Sequence, residues 1–207
     1  VGDMSCFSFY FGHQLSTIEG GMVNTNDKEL YEMLLMLRSH GWAKDLSQES
    51  YDQKMKDNNI DDFHSPFTFF VPGFNVRSTD LQAFLGLRQI EKAQWAANSR
   101  NRNHLLYADI LDGAVEYQKW GENFPVSISF GALADSNVHR RQIVNRLVDN
   151  GIETRIFSAG NLGLHPFWYK RYGKFEEPVS NNIHSKGFFL PNYPELTEEE
   201  IRFICKV

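Results

Sequence analysis

"CFSFYFGHQLSTIEGGMVNT", residues 6–25, is the stretch on which the reading of this chain turns. Dense aromatics over residues 5–11 predict a buried strand. Gly20-Gly21 predicts a turn, and Met22 to Thr25 a second short strand. Where the first strand runs out stands one imidazole, His13. Imidazole is the side chain best suited to moving protons near neutral pH, and loops at strand ends commonly carry chemistry. A histidine there equally suits a plain strand end, its ring bonded to a backbone carbonyl.

Working outward, Asn26 or Asp27 caps a helix of about a dozen residues, with Leu30, Met33, Leu34 and Leu37 at helical spacing and "SHG" (39–41) as its end. Residues 42–74 lack sustained periodicity, and a connection that long is functional, disordered or hides short elements. From Thr79 a long helix is predicted towards Leu111. Leu81, Phe84, Leu85, Leu87 and Ile90 form its apolar side, and a break is expected near the polar "NSRNRN" (98–103). A strand over 124–132, a helix over 137–149 ended by Asn150-Gly151, and a strand over 153–157 follow. Thr197 starts the last helix, with Glu200 as its capping-box partner. The alternation predicts α/β or α+β architecture, with a boundary near 110–123.

The bulk numbers narrow the function. The 207 residues are 42% apolar and 23% charged, enough for a real core in one large domain or a domain and a half. A net charge of -5 and a pI near 5.8 argue against a nucleic-acid partner held by phosphate neutralisation. No apolar run approaches the roughly 18 residues of a membrane span. Cys6 and Cys205 lie far apart, which predicts neither a disulfide framework nor a metal site and suits a reducing, cytoplasmic setting. The chain opens at Val1 almost directly in a strand, which reads as an incomplete chain cut inside a larger fold.

Spacing alone leaves the chemistry open. The seven histidines are scattered, without HExxH or a zinc-type cluster, so no metal is expected. Ser8 and Ser16 flank His13, but there is no G-x-S-x-G elbow, and no Walker or G-x-G-x-x-G motif. Ser8, the Glu19-Gly20-Gly21 turn and Asn75 each suit a phosphate, and each equally suits a turn or cap. Arg155 in "ETRIFSAGN" offers a fork for an anionic group, or is a surface arginine.

Taken in order, "FSFYFGHQLSTIEGGMVNTND" (7–27), "LRSHG" (37–41), "GFNVRSTDLQAFLGLRQIEK" (73–92), "GIETRIFSAGN" (151–161) and "GFFLPNYPELTEEEI" (187–201) add a further signal. The chain resembles the C-terminal half of the DegT/DnrJ/EryC1/StrS sugar aminotransferase family, over nearly its whole length. The resemblance implies a partial type I fold of pyridoxal-phosphate-dependent aminotransferases. The end of the large α/β cofactor-binding domain (1–112, including a long helix near 79–111) would be followed by a small α+β C-terminal domain (113–207).

In that family the position of His13 normally holds the lysine that bonds covalently to the cofactor. An imidazole cannot form that bond stably. The sequence is most similar to the subgroup with histidine at this position, the nucleotide-sugar 3-dehydratases that act on 4-keto-6-deoxyhexoses. These hold pyridoxamine 5'-phosphate (or pyridoxal 5'-phosphate) non-covalently. By resemblance His13 is the catalytic base, removing the proton beside the bond between cofactor amine and sugar carbon before the 3-hydroxyl leaves. Ser8 contacts the cofactor phosphate, Asn75 reaches the phosphate of the neighbouring subunit in a homodimer with shared sites, and Arg155 and Asn161 face the nucleotide-sugar substrate. No iron-sulfur cysteines of the CDP-sugar relative are present. The glycine-rich turn, stacking aromatic and pyridine-binding Asp of the family lie upstream of the matching region. This stretch alone is therefore expected to bind cofactor weakly or not at all and to be inactive. The other readings are an ordinary sugar aminotransferase relative, or a degenerate, non-catalytic dimerising module.

Overall fold

Residues 2–207 are described by a computed structural model. They divide into two compact units between Glu91 and Lys92, inside the helical stretch that the sequence reading placed whole in its first part.

The first unit begins with a two-stranded antiparallel ribbon, β1 (Ser5–Ser8) and β2 (Gly21–Asn24), with Phe7 opposite Met22 and Ser8 opposite Gly21. The predicted buried strand over 5–11 is corrected here: β1 stops at Ser8 and is exposed throughout. A two-stranded ribbon buries a face only when another layer covers it, and Phe7 and Met22 stay 49% and 43% accessible. Asp27 caps α1 (Lys28–Arg38) by accepting the Leu30 N–H. Its buried residues are Leu35 and Met36, so the inward face is rotated from the stripe read off Leu30, Met33, Leu34 and Leu37.

The aperiodic stretch conceals α2 (Gln48–Asp57), capped by Ser47. Its only buried residue is Met55. In place of an apolar stripe it carries one-turn amide–carboxylate bonds, Gln48 to Asp52 at 2.8 Å and Gln53 to Asp57 at 2.6 Å, of the kind that support an exposed helix. Thr79 and Gln82 form a capping box at the start of α3 (Asp80–Ile90).

The second unit opens with α4 (Ala93–Ile110). The break expected at "NSRNRN" lies at Glu91-Lys92 instead, and α4 runs unbroken through the polar run. The reason is tertiary. Arg100 and Asn103 are buried and reach backbone carbonyls: Arg100 those of Ile128 (3.0 Å) and Asn192, Asn103 that of Tyr193 (3.0 Å). A polar helix face is kept inside because carbonyl acceptors meet the Arg100 terminal N–H and the Asn103 amide.

The sheet of this unit combines β3 (Glu116–Tyr117), β4 (Ser129–Leu133), β5 (Arg155–Ile156) and β6 (Gly187–Pro191) in the antiparallel order β3-β4-β6-β5. Phe130 and Ala132 alternate inward on β4, and Phe188 and Leu190 on β6. The predicted strands over 124–132 and 153–157 are thus realised as shorter segments. Between them α5 (Asn137–Asp149) keeps its predicted bounds and ends at Asn150. Besides α2, the sequence reading did not identify β3, α6 (Pro166–Tyr172), α7 (Pro178–Lys186) or β6 itself. The last helix, α8 (Glu198–Lys206), has the Thr197–Glu200 capping box. The core joins Tyr107 of α4, Phe130, Phe188, Leu190, Leu147 and Ile201, with the Tyr107 ring stacked 5.1 Å from Phe130. Burying an aromatic of this size stabilises by roughly 1.5–3 kcal/mol.

Candidate functional site

The ribbon presents His13. Past Ser8 the chain leaves the ladder and closes a loop: Phe9 N–H donates to the Gly20 carbonyl (2.8 Å) and Thr17 N–H to that of Phe9 (2.9 Å). His13 sits at the exposed tip, its N–H bonded to the Tyr10 carbonyl at 3.0 Å. Its ring meets the Tyr10 ring edge-on, centroids 5.8 Å apart. The imidazole thus meets one aromatic neighbour edge-on and is exposed. At the loop base, the Ser8 hydroxyl accepts the Tyr10 N–H at 3.4 Å. That bond uses the oxygen and leaves the O–H free to donate.

Asn75 is placed by a close crossing of backbones. Ser39 and Asn75 form an isolated antiparallel bridge, as do Trp42 and Phe69. His40 N–H donates to Phe74 O (2.6 Å) and Phe70 N–H to Gly41 O (2.9 Å). A Cβ on Gly73 would run into the Gly41 and His40 backbone, so only glycine permits this approach. Asn75 is exposed, and its Oδ1 accepts from Arg77 Nε at 3.3 Å, a bond that engages the oxygen and not the amide N–H groups. Hydroxyl, amide and guanidinium are the donor types that suit a phosphate. Arg77 was missed by the sequence reading, although its place two residues after Asn75 in "GFNVR" was the available signal.

In the second unit Arg155 and Asn161 part company. Arg155 lies on β5 opposite Phe189, exposed, and pairs with no carboxylate among the described residues. Asn161 is 5% accessible and its amide is spent on the chain itself. Oδ1 accepts Gly163 N–H (2.8 Å), and Nδ2 donates to Phe175 O (3.1 Å) and Asn181 Oδ1 (2.7 Å). Its own N–H donates to His184 Nδ1 at 3.2 Å, which fixes the proton of that ring on Nε2. The loop turns at Gly160 (φ +64), where a Cβ would strike the His184 ring. His165 Nε2 meets Ala159 O at 2.9 Å. Asn161, expected to face the substrate, here sets the shape of the loop after Arg155. The sequence offered no sign of this, because its partners lie 14 and 20 residues away.

Elsewhere, Cys6 and Cys205 are free thiols, and burial pushes the Cys205 thiol up to about 11. No group of metal-ligating side chains occurs among the described residues, and none of their helices is long and apolar enough to cross a membrane.

The sequence model of the DegT/DnrJ/EryC1/StrS aminotransferase family matches residues 1–207. GDP-4-keto-6-deoxy-D-mannose 3-dehydratase of Escherichia coli O55:H7 is 31% identical over 215 aligned residues, covering 100% of this chain and 54% of that protein. GDP-perosamine synthase of Escherichia coli O157:H7 is 28% identical, covering 99% and 50%. Among solved structures, the E. coli GDP-4-keto-6-deoxy-D-mannose 3-dehydratase with bound hydrated PLP superposes with a TM-score of 0.84 at 26% identity, over 99% of this chain and 54% of that one. The chain thus spans about half the length of the relatives it matches. Its fold is part of the PLP-dependent aminotransferase architecture.

Proposed function

Since the chain belongs to the DegT/DnrJ/EryC1/StrS aminotransferase family, we propose that the protein carrying it is a nucleotide-sugar 3-dehydratase that uses His13 as its base with non-covalently held pyridoxamine phosphate. One observation carries the reading. The loop tip presents an imidazole, and residues 1–27 contain no lysine, so residue 13 offers no amine for a covalent bond to the cofactor. The 31% identity to a GDP-4-keto-6-deoxy-D-mannose 3-dehydratase supports a 4-keto-6-deoxyhexose as the sugar.

Ser8 and Asn75 would hold the cofactor phosphate, the serine O–H and the amide N–H groups donating to its oxygens. Arg77 engages the Asn75 oxygen and not the amide N–H groups. In a homodimer with shared sites, Asn75 would serve the neighbouring subunit's phosphate. When bound, the cofactor supplies the electron sink that makes a proton beside the sugar carbon removable. One ring nitrogen of His13 takes that proton while the other keeps its own, with the Tyr10 ring edge-on to the imidazole. Departure of the 3-hydroxyl, which takes up the proton held on His13 and leaves as water, would complete the dehydration. Arg155, an exposed and unpaired guanidinium, would meet the diphosphate of the nucleotide, and Asn161 would fix the loop that follows it. The aminotransferase alternative needs an amine where this chain has His13.

The test is reduction of the cofactor-loaded protein with borohydride. No covalent adduct is expected, and His13→Lys should create one. An unsubstituted protein already trapped covalently would sink the reading, because a lysine elsewhere would then serve.

A further inference from the structure

We infer that Gln82, together with Thr17, is a positioning residue for His13, clamping the loop that carries it onto the start of α3. Only the catalytic consequence rests on the dehydratase reading; the clamp itself does not. The loop over residues 9–20 is exposed or half-buried elsewhere, yet Thr17 is 8% accessible. The Thr17 hydroxyl donates to the Glu19 carbonyl at 2.8 Å, and Gln82 Nε2 donates to the same oxygen at 2.6 Å across 63 residues of sequence. A carbonyl oxygen has two lone pairs, and here each has a donor. Ile18, between the two clamped residues, has φ +71. A β-branched residue in the left-handed region is an outlier that persists only when its surroundings over-determine it.

Gln82 has a second task at its other end, where Oε1 accepts the Thr79 N–H at 2.8 Å in the capping box of α3. Glutamate and glutamine serve equally at this capping position. Glutamate cannot donate. The amide therefore adds one thing that a carboxylate lacks, the bond to Glu19, a direct side-chain hydrogen bond between α3 and the His13 loop. Two hydrogen bonds at the loop base then carry the constraint to its tip: Phe9 N–H to Gly20 O and Thr17 N–H to Phe9 O.

This dual role supplies a discriminating pair of variants. Gln82→Glu keeps the cap and removes the clamp, and Gln82→Met removes both. In the 207-residue chain, hydrogen exchange at the Phe9 and Thr17 amides should quicken about five- to tenfold in Gln82→Glu, the worth of one net hydrogen bond, with a fall in unfolding midpoint smaller than that of Gln82→Met. Gln82→Met should show the same exchange and a lowered midpoint. In the cofactor-loaded protein Gln82→Glu should lower kcat about tenfold with KM unchanged, because the base is displaced while the binding groups are kept. Exchange in Gln82→Glu equal to that of the parent would overturn the clamp, and so would a lost midpoint without faster loop exchange. Faster exchange in Gln82→Glu, with a parent protein that dehydrates no sugar, would uphold the clamp and refute the dehydratase reading, so the two fail separately.

Discussion

Asn161→Ala gives the sharpest test of how the second unit builds the loop beside Arg155. The substitution removes three hydrogen bonds at once. Gly163 is itself buried, so its N–H loses its partner where water does not readily replace it, a cost of roughly 1–3 kcal/mol. Phe175 O and Asn181 Oδ1 lie in part-buried surroundings and recover hydration, adding about 0.5–1 kcal/mol between them. The expected loss is therefore about 1.5–4 kcal/mol of local stability. Amide hydrogen exchange is the right assay because it reads the Gly163 N–H directly and does not require the two units to unfold together. Protection at Gly163 should fall at least about tenfold, and amides of β1 and β2 should be unaffected. Asn161→Asp separates the parts: it keeps an acceptor for Gly163 but loses both donations, so Gly163 protection should survive better than in the alanine variant. If Asn161→Ala left Gly163 exchange unchanged, the amide would not be shaping this loop, and a substrate-facing role would again be the better account of it.

Two further outcomes follow from the packing. His104 is 7% accessible, bonded through Nδ1 to Ser127 Oγ at 2.7 Å, and enclosed by Trp120 and Phe130, with the buried Arg100 one turn earlier on α4 and Asn192 bonded to the same serine. Desolvation lowers its pKa. The neutral ring is thus favoured in the fold, and its contribution is fully present above the ordinary imidazole value of about 6.5 and fades as pH falls through the lowered one. Urea midpoints measured from pH 7.5 downwards should drop below that value, and His104→Gln should flatten the slope there; equal slopes would refute the assignment. In the first unit, Gly73→Ala forces its Cβ into the Gly41 backbone and should cost about 1–3 kcal/mol, lowering the urea midpoint followed by Trp42, whose bridge to Phe69 lies in the same crossing.

What was legible in the sequence was what depends on neighbours along the chain. Asp27, Thr79 and Thr197 begin helices because a side-chain oxygen reaches an N–H three residues on, and α5 ends at Asn150-Gly151 for an equally local reason. The order and spacing of five motifs carried the family, and the identity of residue 13 carried the expected chemistry. The tertiary structure decided what depends on distant partners. It kept α4 helical through Arg100 and Asn103, because carbonyls some 28 to 92 residues away accept their donors. It made β6 a central strand, since only pairing with β4 and β5 shows that role. It left β1 exposed despite its aromatics. It joined Gln82 to Glu19 and spent the Asn161 amide within its own loop. Periodicity and caps act over one or two turns of chain, whereas burial and the pairing of polar groups are settled only when remote segments meet.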